Sequence, residues 1–426
     1  MKKTFKFRIN ASKTTIQKVE EVINLCRILY NLCLEQRKNA WQFHKKSISA
    51  NSQKTQLPEL KRAFPEFKNV PSQTLQDVVE RIDGAFQGFF RRIKAGEKSG
   101  YPRFKGSARY DSFTLKQSGW QLNGNHLSIK KIGIFKIKLH RPILGDIKTV
   151  IIRRSSSGKW FVCFSCDNVP LNPLPKTGKA IGVDVGCEAF LTDSDGRQIE
   201  NPRFLKQSEK TLQERQQSLS RKKRGSNRRA KARLLLAKSH EKIRNQRRDF
   251  HFKTANELLK ANDIVCIEKL KSWKTWRSLN KSMRDAAWIN FISVLKGKAV
   301  EAVREIREVP AKNTSQICSG CGEIVPKNLS VRIHHCPSCH LNIDRDINAA
   351  INILKLGASF RDSVSICPEK PRPSGRGSSR IIIDSERNNA IVDYLSKDGE
   401  LSFKEELNLG GKHGFRAKQT LTNQSG

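Results

Sequence analysis

Two cysteine pairs stand near the C-terminus, Cys318-Ser-Gly-Cys321 and, fourteen residues on, Cys336-Pro-Ser-Cys339. Each CxxC turn can aim two thiolates at one ion, and the residues between the pairs form a hairpin that brings them together. Four thiolates in a tetrahedron suit Zn²⁺. Four protein ligands leave no open position, so the expected metal is structural rather than catalytic. A pair of redox dithiols is the competing reading. His334, His335 and His340 lie close by and are expected at the surface or against nucleic acid.

Three acids stand where acid is unexpected. Asp184 interrupts the apolar run Ile181-Gly-Val-Asp-Val-Gly186, Glu268 ends Ile264-Val-Cys-Ile267, and Asp346 lies in Asp344-Arg-Asp-Ile-Asn-Ala-Ala350 at the mouth of a helix. An isolated carboxylate at a strand centre or end is costly to desolvate. If the fold gathers three, each pair repels by about 4 kcal/mol at 4 Å and an effective dielectric of 20. Divalent cations remove that penalty, and two Mg²⁺ ions bridged by such a cluster suit phosphodiester hydrolysis. Any one of these acids alone could be a cap or a surface ion pair. Read together, in a chain with a formal net charge of +41, they point to phosphate chemistry. Asp344 is the rival for the third position. It is expected to cap the helix that Asp346 begins.

The elements that must position these groups follow from periodicity. Phe5-Lys6-Phe7-Arg8-Ile9 alternates as a half-buried strand, and the pattern is helical from about Thr14 to Lys46 and from Pro71 to Ile93. Strand-like runs return between Ser112 and Cys166, so a helical segment is inserted into a β region. Pro170 to Lys179 reads as a linker. Ala180 to Val185 is a short strand, and Ala189 to Thr192 is expected to pair with it as a hairpin across the turn near Asp195-Gly196. Residues 208–260 are helical and basic, Ile264 to Ile267 is a buried strand, and Asp285 to Ile306 an amphipathic helix running into a strand. A last helix covers about Asn348 to Leu356. Beyond Gly357 the composition turns polar and weakly patterned, which predicts disorder over 361–426.

The charge limits the partners. Lys and Arg outnumber Asp and Glu 81 to 40, an excess that implies a polyanion, most commonly nucleic acid. Between Arg221 and Arg248 lie thirteen Lys or Arg and one Glu. A charge run is usually a solvated face, but here the density and the lack of acidic i,i+4 partners favour phosphate contact by Arg221, Lys222, Lys223, Arg224, Arg228, Arg229, Lys231 and Arg233. Trp273 and Trp276 could stack on bases or pack in a core. No run of about 18 apolar residues exists, so no membrane partner is expected, and no apolar segment follows the basic start as in a secretory signal. The odd count of 11 cysteines, several in apolar runs, suits a reducing compartment, which predicts a cytoplasmic bacterial protein that joins the nucleoid when bound to DNA.

GVDVG around Asp184, IEKL around Glu268, the run TSQICSGCG…CPSCHLNIDRDINAAINILKLG and the loop FFRRIKAGEKSGYPRFKG resemble the TnpB (OrfB) family of transposon-encoded RNA-guided endonucleases, relatives of type V CRISPR effectors. The resemblance runs from the N-terminus to about Gly357. It implies an α/β RuvC-like RNase H fold over 178–310 and 343–360, with a basic helical insertion at about 208–260 and a zinc knuckle at 311–342. Residues 1–170 would form a β-barrel wedge domain with a helical recognition insert at about 14–95, binding a guide noncoding RNA. It further implies Asp184, Glu268 and Asp346 as the catalytic acids and a double-stranded DNA target, part of it single-stranded when opened, chosen by RNA pairing and a short adjacent motif. A monomer bound to RNA is the expected assembly. Two departures stand out. His340 replaces the glycine usual after the last CxxC, and the tail has no counterpart. A nuclease-inactive RNA-guided regulator and a zinc-ribbon RNA-binding protein are the alternatives.

Overall fold

The structure, a computed structural model, describes residues 1–270, 282–283, 285–328 and 330–359. Trp273, Trp276 and the tail at 361–426 lie outside the described residues.

Strand β1 (Lys3–Asn10) buries Phe5, Phe7 and Ile9 and turns Lys6 and Arg8 outward, the period-two pattern of a one-sided sheet. Ser12 then accepts the Thr15 amide and starts helix α1 (Lys13–His44). Two short helices follow, α2 (Ala50–Thr55) and α3 (Leu57–Ala63), and then α4 (Ser72–Lys94). Helix α4 buries Leu75, Val78, Val79, Ile82 and Phe86 at helical spacing, on the side that meets α1 and the sheet. The chain re-enters the sheet through β2 (Ser112–Leu115), β3 (Trp120–Asn123), β4 (His126–Ile129), β5 (Gly133–Ile137), β6 (Asp146–Arg154) and β7 (Trp160–Asp167).

The seven strands run in the order β2-β6-β7-β1-β5-β4-β3. No ladder joins β2 to β3 among the described residues, so in place of a closed barrel the order is open at both ends. Strand β1 pairs with β7 along Lys3–Arg8 and with β5 only through Ile9 and Asn10, so the β3–β5 meander joins the sheet through two residues of β1.

The second sheet contains β8 (Ala180–Asp184), β9 (Ala189–Asp193), β10 (Gln198–Glu200), β11 (Ile264–Glu268) and β12 (Glu305–Val309), in the order β10-β9-β8-β11-β12. Strands β8, β11 and β12 are parallel, and β9 alone runs against the rest, antiparallel to both its neighbours β8 and β10. Strand β9 does pair with β8, but the link between them is Val185–Glu188. The Asp195-Gly196 turn instead joins β9 to β10, with Gly196 at φ +89°. Helices α5 (Phe204–Gln207), α6 (Glu209–Ser220) and α7 (Asn227–Ala261) lead from β10 to β11, and α8 (Trp288–Ala302) precedes β12. Helix α8 is shorter than the 285–306 expectation because Ala287 and Val303 both adopt left-handed backbone and fix its ends. A small hairpin, β13 (Ile333–His335) with β14 (Asn342–Asp344), runs straight into the last helix, α9 (Arg345–Ser359).

Alternation along the strands sorts this sheet's two faces. Ile181, Val183, Val265 and Ile267 face a core built from α7 and α8, with Phe190 packed edge-on against Phe291 and Phe250. Gly182 and Cys266 point the other way, toward α9. That helix lies unusually close. A Cβ on Gly182 would strike the Ala350 carbonyl and come within 2.7 Å of the Leu354 amide nitrogen, and a Cβ on Gly357 would strike the Cys266 side chain. Glycine at 182 lets backbone approach backbone, and glycine at 357 leaves room for the Cys266 side chain.

Gly182→Ala should therefore lower stability by about 1–3 kcal/mol, the cost of overpacking against backbone. Urea unfolding checks this, and an unchanged midpoint would show that α9 slides freely.

Candidate active site and cysteine cluster

Val183 and Ile267 are register partners in the parallel pair β8–β11, so Asp184 and Glu268 leave the sheet side by side at its carboxyl edge. That edge is where open α/β sheets place ligands. Asp346 comes from the first turn of α9, laid over β8 by the Gly182 contact. Its Oδ2 is 3.8 Å from where a Gly186 Cβ would stand, just beyond Asp184. Asp184 feels the other two acids. Burial pushes the Asp184 carboxyl up to about 8, and Glu268 and Asp346 add to the rise against an opposing pull from Arg345. Burial also raises Glu268, while a hydrogen bond donated by the Thr314 hydroxyl to its Oε1 works the other way.

Each acid also has its own partners. Arg345 donates to Asp346 Oδ1 from Nε at 3.0 Å and from Nη2 at 2.8 Å. Arg332 Nη1 lies 3.9 Å from Asp346 Oδ2, and its Nη2 pairs with Glu188 at 2.7 Å. The Asp344 carboxylate is occupied differently. It accepts the amides of Asp346 at 2.8 Å and Ile347 at 3.2 Å, the contacts of a helix cap.

The cysteines are drawn tighter than the acids. Among the described residues Cys318, Cys321, Cys336 and Cys339 are the one group of potential ligands gathered closely enough to share an ion, with all four sulfurs within 4.8 Å of one another. Cys318 and Cys336 are buried, Cys321 and Cys339 exposed. The Cys339 and Ser338 amides donate to Cys336 and bring its thiol down to about 6. Cys321 accepts the Glu323 amide but stands beside Cys336 and Cys339, and is pushed up to about 12. Four thiolates this close repel, and a dication fits them better than four protons do.

Polar side chains of α9, not singled out by the sequence reading, tie the two groups together. Asn348 accepts the Ser319 amide at 2.8 Å and donates to the Ile317 carbonyl at 2.8 Å. Asn352 donates to the carbonyls of Thr314 at 2.9 Å and Ile317 at 2.7 Å, and Lys355 donates to that of Ser319. Thr314 in turn holds Glu268. The spacing 348, 352, 355 on an otherwise apolar helix is the signal that could have found them.

The basic run divides in two. Arg221, Lys223, Arg224, Arg228, Lys231 and Arg233 are exposed around the α6–α7 turn and the start of α7. Lys222 and Arg229 are half-buried and engaged within the chain. Lys222 donates to Ser218, and Arg229 donates to the Leu219 and Lys222 carbonyls at 2.7 Å, closing the end of α6. Glu241, the single acid of the run, is buried against Lys159 of the first sheet.

Comparison with known proteins decides the lineage. The family described as "Probable transposase", that of OrfB proteins, matches residues 161–275. A "Cas12f1-like, TNB domain" matches 288–353, and a "Helix-turn-helix domain" matches 1–46. Residues 1–46 here form one strand and one long helix. A Streptomyces pristinaespiralis protein named "Putative RNA-guided DNA endonuclease" is 31% identical over 89% of this chain and 94% of its own length. The chain belongs to the TnpB (OrfB) family. An Escherichia coli relative of the same name, with the suffix InsQ, is 27% identical over 83% of this chain and 92% of its own. A solved structure titled CasPhi-2 (Cas12j) bound to crRNA aligns at a TM-score of 0.44 and 10% identity, over 84% of this chain and 98% of that one, a likeness too loose to carry an argument. No helix among the described residues is long and apolar enough to cross a membrane.

The raised Asp184 carboxyl makes a pH prediction. A folded-state pKa above the unfolded value of about 4 means the folded protein holds its proton longer. Stability therefore falls as pH rises from about 4 to about 8, then levels off. Relative to Asp184→Asn, the wild type should lose stability across this window in buffer without divalent cations and regain it on adding Mg²⁺. Urea unfolding of both proteins at several pH values checks the sign, and parallel curves would place Asp184 outside any acid cluster.

Proposed function

We propose that this protein is an RNA-guided, divalent-metal-dependent DNA endonuclease encoded by a transposable element, cutting target DNA beside a short recognition motif. Membership of the TnpB family and the names of its relatives support the activity. The observation that carries the chemistry is the meeting of Asp184, Glu268 and Asp346 at one sheet edge, with two of the carboxyls raised by burial. The strand order β10-β9-β8-β11-β12, with α9 on the far face bearing the third acid, is the arrangement expected of a RuvC-like RNase H fold.

Hard oxygen donors that resist ionising together fit Mg²⁺ or Mn²⁺. Asp184, Glu268 and Asp346 would hold two such ions, which would supply an activated water and charge stabilisation for the leaving oxygen of a phosphodiester. The chain's own residues prepare that site. Thr314 fixes the Glu268 carboxylate, Asp344 starts the helix that aims Asp346, and Arg332 and Arg345 supply positive charge to meet the scissile phosphate.

The four cysteines would hold a structural Zn²⁺, and Asn348 and Asn352 would pass its order to the active site. The exposed cations of 221–233 would follow a nucleic-acid backbone. Residues 1–170 would form the wedge and recognition region that holds the guide RNA.

Asp184→Ala, Glu268→Ala and Asp346→Ala should each abolish cleavage of a matched target in Mg²⁺ while guide and target binding stay within about threefold, because these acids act in the transition state rather than in docking. Asp344→Ala should retain part of the activity. The experiment starts by sequencing the RNA that co-purifies with the protein and programs cleavage with it. A dead Asp344→Ala beside a normal Asp346→Ala would reverse the assignment of the third acid, and normal cleavage by all four variants would remove the acids from the reaction.

Protein purified without chelator should carry one equivalent of zinc by elemental analysis. Cys336→Ser should lose it and, because metal binding is also folding energy, lose cleavage through disorder of the segment leading to Asp346. A zinc-free wild type with full activity would contradict this.

A further inference from the structure

The helical lobe between β1 and β2 carries aromatic surface that its own fold leaves uncovered. Near the C-terminal end of α4, Phe90 is 53% exposed, and on the strap that follows it Tyr101 and Phe104 are 44% and 47% exposed. Two of these rings, Phe90 and Tyr101, are held in place. Tyr101 sits 5.4 Å from both Phe86 and Phe89, edge-on to Phe86, and Phe90 packs on the same pair at 6.2 and 5.3 Å. The strap is fastened at its other end, where the Lys105 amide donates to Asn31 Oδ1 at 2.8 Å and Asn31 Nδ2 donates back to the Lys105 carbonyl at 3.1 Å. Under the cluster, the buried Arg37 guanidinium lies 5.3 Å from the Phe86 ring centre, and its Nη2 has no hydrogen-bond partner.

The charge around the rings says what could cover them. From Arg91 to Lys105 the chain has six cations and one acid, Glu97. The acids farther up α4 are already paired, Asp77 with Arg81, Asp83 with Arg37, and Glu80 with Lys54 and Lys116. A second copy of this chain would bring like charge against like charge. An unstacked base with its phosphates satisfies both halves of the surface, the π-face on the ring and the phosphate on the cation. Along a duplex each base is covered by its neighbours in the stack, so the grooves offer no free base face to Phe90 and Tyr101, and only the two end pairs expose one.

We propose that Phe90, Tyr101 and Phe104, flanked along the chain by Arg91, Arg92, Lys94 and Arg103, form a stacking platform for unpaired nucleotides. The platform rests on the nucleic-acid reading above but adds a recognition surface remote in sequence from the three acids and from the 221–233 run. Single-stranded RNA and an opened DNA strand share this chemistry.

The test uses full-length protein freed of RNA, oligouridine and oligodeoxyuridine of about twelve nucleotides carrying 5-iodo bases, and a blunt duplex of similar length. The variant Phe90→Leu/Tyr101→Leu/Phe104→Leu keeps apolar bulk but removes the ring faces, and its thermal unfolding is measured alongside. Irradiation should cross-link the single strand to the peptide containing Tyr101 or Phe90. The variant should bind the single strand about five- to tenfold more weakly, with duplex binding changed less than about twofold and the salt slope unchanged. The RNA and DNA arms show which strand the platform prefers. Equal losses for single strand and duplex would overturn the proposal, as would a variant that binds normally without any cross-link in this region, or one whose only change is loss of a dimer on gel filtration. None of these readouts needs cleavage or a guide, so the platform can fail while the nuclease reading stands, and the reverse.

Discussion

The contact of α9 with β8 at Gly182 is the constraint on which the active edge depends. Where most helices rest on a sheet through side chains, this one meets it backbone to backbone. The closeness sets the height of Asp346 over Asp184 and brings Asn348 and Asn352 down to the loop before Cys318. A single glycine thus fixes the relation between a pair of carboxylates and a cluster of thiols far apart in sequence. The acids bear the cost. Burial raises Asp184 and Glu268, like charge adds to the rise at Asp184, and the fold tolerates this while Thr314, Arg345 and the Asp344 cap hold Glu268 and Asp346 in a defined pose.

Much of this edge was legible from residue type and spacing. An acid closing an apolar strand is visible in Asp184 and Glu268, and Asp344 and Asp346 could be told apart as cap and first-turn residue because helix starts have fixed chemistry. The paired CxxC spacing foretold a cluster, and the cysteines do gather. What periodicity could not supply was anything resting on contacts distant in sequence. The partner of the Asp195-Gly196 turn was misassigned because alternation marks strands, not their pairing. The open order of the first sheet and the engagement of Lys222 and Arg229 depend on tertiary packing. In a run of cations, those that cap a helix look like those that meet solvent.

The positive charge is also less uniform than its total suggests. Where the chain needs internal cohesion it spends cations on partners: Lys159 on Glu241 and Lys3 on Glu301 join the β-sheet region to the α/β region, and Arg304 binds Asp263 beneath β11. Elsewhere acids are scarce, Glu97 alone in 91–105 and none in 221–233, and most of the cations there remain in solvent. Such uneven pairing separates charges that hold a fold together from charges left for a polyanion.

The first strand carries a consequence for the ribosome. Lys3–Arg8 pairs with Phe161–Cys166, so the central strand of the first sheet is synthesised about 160 residues before its main partner. At 5–20 residues per second the nascent segment waits roughly ten to thirty seconds with Phe5, Phe7 and Ile9 uncovered. During that wait α1 can coil on local contacts alone, while the sheet pays a long loop closure before its first ladder forms. The amino group of Met1 finally bonds the Val169 carbonyl at 2.7 Å, so the chain's earliest atoms are among the last of this region to find their places. A bulky fusion ahead of β1 would burden that late docking step.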